Sequence, residues 1–153
     1  MANTTFSGPV ISNAGFQVSA VTLGDADATL TKAANAGRIN FIGDNSADRT
    51  YTLPAPEAGV SYRFVYSGGA SDATDAIIQT PGNSNFFKGN ITFLDEDGTG
   101  AEVAAVFPDG DSNSKLQINV PDAFDITIMG LDSTNYQIFG TITAITAPTF
   151  ADQ

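Results

Sequence analysis

Two stretches of alternating apolar and polar residues decide the fold class. Lys115-Leu-Gln-Ile-Asn-Val120 places three apolar side chains on one face of an extended chain, and Asn135-Tyr-Gln-Ile-Phe-Gly-Thr-Ile-Thr143 continues in the same manner. Because successive strand residues point to opposite faces, this period of two predicts half-buried β-strands. Ser61-Tyr-Arg-Phe-Val-Tyr66 gathers Tyr62, Phe64 and Tyr66 on one face, where a core position is a simpler explanation than an exposed stacking platform.

The rest of the chain extends this pattern. Further strands are predicted at Phe16–Leu23, Arg38–Ile42, Arg49–Leu53, Ala76–Gln79, Asn90–Leu94, Val103–Phe107 and Asp125–Met129. Clusters rich in Gly, Pro, Asn and Asp separate them, and these residues favour turns. We therefore predict an all-β chain, folded as an antiparallel β-sandwich or barrel-like domain with extended N- and C-terminal arms. Asp25–Gly37 has room for only a single helical turn, because Leu30 is its one large apolar residue.

The length of 153 residues predicts one domain. We assign an N-terminal arm to residues 1–14, a single β domain to 15–143 and a C-terminal tail to 144–153. Both ends lack a sustained period but carry scattered apolar side chains, which solvated tails seldom need. The residues predicted to bind a partner are Phe6, Pro9, Val10, Ile11 and Phe150.

The net charge of −11 is unevenly distributed along the chain. Residues 1–88 carry five basic and seven acidic side chains, whereas residues 89–153 carry one basic and ten acidic ones. Such a surface repels phosphate backbones and anionic lipids, so we expect neither nucleic-acid nor membrane partners. No apolar run approaches the length of a membrane span, and the first residues do not resemble a targeting segment.

The inventory of chemical groups argues against catalysis. The chain has no Cys and no His, so the usual nucleophile–base pairs and the commonest metal ligand are absent. Neither a Walker loop nor a Gly-x-Gly-x-x-Gly motif, the two glycine-rich phosphate-binding sequences, occurs. We predict no catalytic residues, no cofactor and no metal site, and therefore a protein that is not an enzyme. The acidic stretches Asp95–Glu102 and Asp109–Asp111 leave open a carboxylate-pair hydrolase or a Ca²⁺ site, although ordinary solvated turns are the simpler explanation.

Several short motifs resemble a known class of proteins. Thr4-Thr-Phe-Ser-Gly-Pro-Val10, Asn13-Ala-Gly-Phe16, Tyr51-Thr-Leu-Pro-Ala-Pro-Glu-Ala-Gly59 and Tyr62-Arg-Phe64 are similar to segments of small virion proteins of marine tailed phages. The closing Asn135-Tyr-Gln-Ile-Phe-Gly140 and Pro148-Thr-Phe-Ala-Asp-Gln153 add to the similarity. The chain thus resembles the capsid decoration, or cement, proteins over most of its length.

The resemblance implies a non-catalytic virion protein that binds and stabilises the outer surface of a phage capsid. It implies the major capsid protein and further copies of the chain, in a homotrimer, as partners. It also implies synthesis in the host cytoplasm and residence on the capsid surface, with the terminal arms as contact segments. The alternative is a carbohydrate- or receptor-binding β module of a phage tail or fibre.

Overall fold

Two mixed β-sheets form the fold. The computed structural model describes residues 17–69, 74–97 and 103–153. Its strands are β1 (Ala20–Thr22), β2 (Ala28–Thr29), β3 (Ile39–Ile42), β4 (Arg49–Thr52), β5 (Ser61–Tyr66), β6 (Ala76–Gln79), β7 (Phe86–Gly89), β8 (Ile91–Asp95), β9 (Val103–Val106), β10 (Lys115–Ile118), β11 (Pro121–Gly130), β12 (Asn135–Ala144) and β13 (Thr149–Ala151). The one helix of the described residues, α1 (Lys32–Asn35), is a single turn, as expected for Asp25–Gly37.

The strands divide between a large and a small sheet. The large sheet has the order β1-β3-β5-β11-β12-β8-β9. The strand β7, which precedes β8 in sequence, also pairs with β12. The small sheet has the order β13-β10-β6-β4-β2. The predicted all-β, sandwich-like class is therefore confirmed. No described helix is long and apolar enough to cross a membrane.

The prediction that the sheets are antiparallel is wrong for half of the molecule. Six of the eleven strand pairs in the described residues are parallel, and no barrel closes. From β1 to β6 the chain alternates between the large and the small sheet, so each strand lies parallel to the strand two places later in sequence. Each connection crosses to the opposite sheet, whereas a hairpin would reverse the chain within one sheet. The period of two does not distinguish these cases, because it reports only which face is buried.

One core fills the space between the sheets. It combines Tyr62, Phe64, Ile126 and Ile138 of the large sheet with partners on the small sheet, among them Ile78, Leu116 and Tyr51.

A chain of aromatic rings joins the two layers at one end: Tyr62 contacts Tyr136, Tyr136 contacts Phe87, and Phe87 lies 6.1 Å from the ring of Phe150. The Tyr136 hydroxyl also donates a hydrogen bond to the Pro54 carbonyl oxygen at 2.7 Å. Such a buried tyrosine contributes both apolar area and a satisfied polar end.

The C-terminal segment belongs to this layered structure. Residues 149–151 form β13, which pairs antiparallel with β10 at the edge of the small sheet. The terminal residue, Gln153, donates from its side-chain amide to the Thr80 carbonyl oxygen at 2.6 Å. In the described residues the segment assigned as a tail is thus an edge strand of the chain itself.

The β11–β12 pair requires glycine at position 140. Gly140 has a φ of +143°, and a Cβ built there would overlap the Asp125 carbonyl oxygen on the neighbouring strand. Substitution therefore meets both an unfavourable backbone conformation and a steric clash.

We expect Gly140→Ala to lower the free energy of unfolding by about 2 kcal/mol or more. Gly82→Ala is the matched control, because nothing lies within 4 Å of a Cβ at that position. Urea denaturation of both variants measures the difference. Equal stability of Gly140→Ala and Gly82→Ala would contradict the close approach of β11 and β12.

Candidate interaction surface

Exposed apolar side chains concentrate on the outer face of the large sheet, near the β9 edge. We call this surface the edge patch; it consists of Leu94, Val103, Ala105, Phe107 and Phe139. Val103 is 63% exposed, Phe107 64%, Phe139 46% and Leu94 37%. Four of the seven large apolar side chains that are exposed in the described residues therefore belong to one patch. Clustering of this kind marks interaction surfaces, whereas single exposed apolar residues are ordinary.

Strand register explains why these residues share a face. Leu94 pairs with Val103 across the β8–β9 ladder, and Thr143 pairs with Leu94 on the other side. Val103, Ala105 and Phe107 alternate with Ala104 and Val106, which pack on the core. Phe139 projects from the outer face of β12, on the same side as Thr143. Directly paired residues on one sheet face are close neighbours, so Leu94 and Val103 lie side by side, and Ala105, Phe107 and Phe139 lie on the same face of the sheet.

In the part of the chain that the structure describes, the strand at this edge has one side without a strand partner. Within the described residues β9 pairs only with β8, and its sequence, Val103-Ala-Ala-Val106, has no charged residue and no proline. Exposed edges are normally blocked by lysine, proline or a bulge, because an open edge offers backbone hydrogen bonds to any passing strand. The edge patch thus combines apolar side chains with an available strand edge.

An ion pair divides the outer face into two parts. Arg63 on β5 donates from Nε to the Asp125 carboxylate on β11 at 2.8 Å, and a second guanidinium nitrogen completes a two-pronged contact. This hydrogen bonding lowers the pKa of Asp125 and raises that of Arg63. Both side chains are about half exposed. The ion pair therefore fixes the positions of the two side chains on the outer face but contributes little to the stability of the fold.

A second apolar area lies on the other side of this ion pair. We call it the groove patch; it consists of Val18, Ile39, Phe41 and Val65. Val18 is 57% exposed, whereas the other three side chains are half-buried. A cavity of about 250 Å³ opens here, lined by Val18, Ile39, Arg63 and Thr127 among others.

Acidic groups border the edge patch. Glu96 directly follows β8, and Asp122 lies at the start of β11. The Asp122 Oδ2 atom is buried and has no hydrogen-bond donor among the described residues. A hydrogen bond from a protonated Glu96 carboxyl, together with the negative charge of Asp122, raises the pKa of Glu96. The raised pKa of Glu96 thus reflects the proximity of the two carboxyl groups, since ionisation of Glu96 places a second negative charge beside Asp122.

The turn at Asp109–Asp111 is organised by hydrogen bonds within the chain. Asp109 Oδ1 accepts from the backbone N–H groups of Asp111, Ser112 and Asn113, and Oδ2 accepts from the Ser112 hydroxyl. These donors, led by the Ser112 hydroxyl, lower the pKa of Asp109. The turn interpretation thus accounts for Asp109. Of the other stretch, Asp95 caps its own turn through the Asp97 N–H, while residues 98–102 lie outside the described residues. No group of three or more His, Cys, Asp or Glu side chains suited to a metal occurs in the described part.

A polar groove of about 390 Å³ lies on the small sheet. Asp27, Thr29, Thr50, Thr52 and Gln79 line it, with Ala28. Its groups are partly occupied, since Asp27 accepts from the Thr50 N–H and the Gln79 amide donates to the Thr52 hydroxyl. No aromatic ring is among the lining residues.

The structure places the residues predicted to bind partners in two different situations. Phe6, Pro9, Val10 and Ile11 lie outside the described residues. Phe150 is half-buried against the chain's own core, with its ring next to Phe87, and therefore offers little free surface. Tyr62 and Phe64 are buried as core residues, and Tyr66 is half-buried with its hydroxyl bonded to Asp44.

Sequence reasoning missed the edge patch. Val103–Phe107 was predicted as a strand, but its position at the sheet edge depends on the strand order. The available signal is the absence of any charged residue in Val103-Ala-Ala-Val106, within the more acidic half of the chain. That absence indicates a surface that is covered or paired at some stage.

No protein family, no curated protein and no solved structure matches this chain.

The Glu96–Asp122 pair gives a prediction for pH dependence. A pKa that is raised in the folded state contributes stability below its ordinary value, and this contribution is lost as the pH rises through the raised value. As the pH rises, ionised Glu96 is repelled by the negative charge of Asp122. We therefore expect Asp122→Asn to raise the melting temperature at pH 7, to have a smaller effect near pH 4, and to return the Glu96 pKa towards its ordinary value.

Carboxyl NMR titration and thermal melts measure these effects. Asp111→Asn is the control, because it removes the same charge from an exposed turn without altering the pair. An unchanged Glu96 pKa in Asp122→Asn would show that the two carboxyl groups do not interact.

Proposed function

We propose that this chain is a non-catalytic structural protein that binds other protein surfaces through its edge patch. The observation that carries the proposal is the union of exposed apolar side chains with an unprotected edge strand on β9. Burial of such side chains contributes on the order of 1–2 kcal/mol each, because Val and Phe gain roughly 1.5–3 kcal/mol on full burial, and Val103 and Phe107 are already about one third covered. Strand pairing at β9 would add backbone hydrogen bonds and directional specificity.

The charge around the edge patch defines the kind of partner it fits. Asp95 and Glu96, at the end of β8, and Asp122, near the start of β11, border the edge patch. Residues 89–153 carry −9 of the total charge of −11. A partner with an apolar centre and a basic rim is complementary to such a surface. This charge also discourages non-specific association between many copies displayed on one particle.

The particle we propose is a phage capsid. The sequence motifs resemble capsid decoration proteins, and their role requires contact area without bond-making chemistry. A protein that binds only the assembled shell stabilises that shell by mass action. The chain would then reside on the outer capsid surface, contact the major capsid protein and form a homotrimer. The N-terminal residues predicted as contacts, Phe6, Pro9, Val10 and Ile11, remain a prediction.

We expect Val103→Lys and Phe107→Ser to weaken particle binding at least tenfold, which corresponds to a loss of about 1.4 kcal/mol or more. Leu131→Lys is the matched control, because Leu131 is 43% exposed but lies in the β11–β12 turn, outside the edge patch. The binding assay adds purified variants to gradient-purified capsids that lack this chain. These capsids come from a phage in which the gene for the chain is deleted. Circular dichroism checks that each variant is folded.

Wild-type binding by both edge-patch variants would refute the proposed surface. Failure of the wild-type chain to bind these capsids, and its absence from purified virions by mass spectrometry, would refute the capsid role. Light scattering provides a separate test of the trimer, for which we expect three times the monomer mass.

A further inference from the structure

We infer that the polar groove of the small sheet binds a neutral saccharide through the hydroxyl groups of the sugar. The groove lies on the outer face of the small sheet, whereas the edge patch lies on the outer face of the large sheet. The two surfaces are therefore on opposite sides of the sandwich. The inference goes beyond the proposed contact with a capsid and does not depend on it.

Strand register builds the floor of the polar groove. Thr29 on β2 pairs with Thr52 on β4, and Thr52 pairs with Gln79 on β6, so these three side chains form one row across the outer face. Thr50 lies two residues before Thr52 and therefore points to the same face. Neighbouring strands are about 4.8 Å apart, so a ligand the size of a sugar ring reaches polar groups from adjacent strands at once.

Asp27 closes the polar groove at the edge of the small sheet. It directly precedes β2, and its Oδ1 atom accepts a hydrogen bond from the Thr50 N–H at 2.9 Å. This contact continues the link between the two chain segments beyond the two residues of β2, and it holds the carboxylate beside β4. The Oδ2 atom has no hydrogen-bond donor among the described residues, so it is available to a ligand.

Other groups of the polar groove also have hydrogen-bonding capacity to spare. The hydroxyl groups of Thr29 and Thr50 make no hydrogen bond within the described residues. Gln79 donates from its amide to the Thr52 hydroxyl at 3.1 Å, which leaves the Gln79 side-chain oxygen and the Thr52 hydroxyl proton for a further partner. The groove therefore offers two kinds of group: acceptors on Asp27 and Gln79, and threonine hydroxyls that both donate and accept.

The charge of the polar groove selects the class of ligand. Asp27 is the one charged residue among the described lining residues, so an anion is repelled. A metal ion needs several oxygen ligands of high charge, and a single carboxylate does not supply them. An organic cation would pair with Asp27 but leave the threonine hydroxyls without a partner. A saccharide fits all of these groups, because each of its hydroxyls donates and accepts and its ring carries no charge.

The size of the polar groove fits one or two sugar rings, and its lining predicts weak binding. Its volume of about 390 Å³ lies within the roughly 300–1,000 Å³ that is usual for small-molecule sites. No aromatic ring lines it, so affinity depends on hydrogen bonds that replace those made with water, and each such exchange gains little. We therefore expect dissociation constants in the millimolar range for a monosaccharide.

NMR titration with the methyl glycosides of glucose, galactose and mannose tests the inference. We expect at least one of them to shift the amide signals of Thr29 and Thr50 and the side-chain amide signal of Gln79 in a saturable manner. The signals of Val103–Val106 on the large sheet should not change. The fully O-methylated form of the same glycoside is the control ligand, because it keeps the ring but has no hydroxyl donor, and it should not bind.

Two substitutions locate the site. Thr29→Val removes one groove hydroxyl while keeping a side chain of similar shape, and should weaken binding roughly threefold to tenfold. Asp27→Asn removes the charged acceptor but keeps an oxygen for the Thr50 N–H, and should weaken binding at least tenfold. Thr149→Val is the matched control, because Thr149 is exposed on β13 of the same sheet but does not line the groove. It should bind as the wild type does.

The absence of saturable shifts with all three glycosides would overturn the inference. Equal affinities of Thr29→Val and Thr149→Val would do the same, as would equal binding of the O-methylated glycoside. None of these measurements involves capsids or the edge patch, so failure here is distinguishable from failure of the proposed function.

Discussion

The antiparallel pairing of β11 with β12 is the constraint on which the rest of the structure depends. These two ten-residue strands occupy the middle of the large sheet. The parallel strands β1, β3 and β5 lie on one side of them, and β7 and β8 lie on the other. Their register places Ile126 and Ile128 in the core and leaves Asp125 and Phe139 on the outer face. The close approach at Gly140 maintains this register. A slip of one residue would exchange the buried and exposed sets, and both the core and the edge patch would be lost.

The same constraint gives the two faces of the large sheet different roles. The inner face shares one core with the small sheet, where Tyr136 and Phe150 connect the layers through Phe87. The outer face is divided by the Arg63–Asp125 pair into the groove patch and the edge patch. Apart from Val18, the groove patch is half-buried, whereas the edge patch is more exposed and lies towards the opposite sheet edge. The edge patch is therefore the more accessible of the two apolar surfaces in the described residues.

Local pattern determined much of this structure in advance. Ala76–Gln79 is a strand with the predicted bounds, and Lys115-Leu-Gln-Ile118 begins where predicted. These residues have a clean alternation, and their burial follows it. Three short strands were not predicted: β2 has two residues, β7 contains two adjacent Phe residues, and β13 follows a proline. Such segments take their conformation from a neighbouring strand more than from their own sequence.

The candidate surface was less predictable than the fold. Which strand lies at an edge depends on the parallel pairing of β1, β3 and β5 and on the position of β11 and β12 between β5 and β8. A period of two in the sequence carries no information on either. Phe150 illustrates the problem, because an isolated apolar residue near a terminus fits a free contact and a core position equally well until its strand partner is known. The acidic turns were more tractable, since Asp109 next to Gly110 favours local hydrogen bonding, and its carboxylate is used in that way.

The central claim is that the chain acts through contact at the edge patch. Hydrogen–deuterium exchange of the chain, free and bound to purified capsids, tests it most directly. The account predicts slower exchange on binding for the amides of Val103–Val106, with no change for the buried strand β6. Unchanged exchange at β9 in a bound chain, with protection elsewhere, would contradict it.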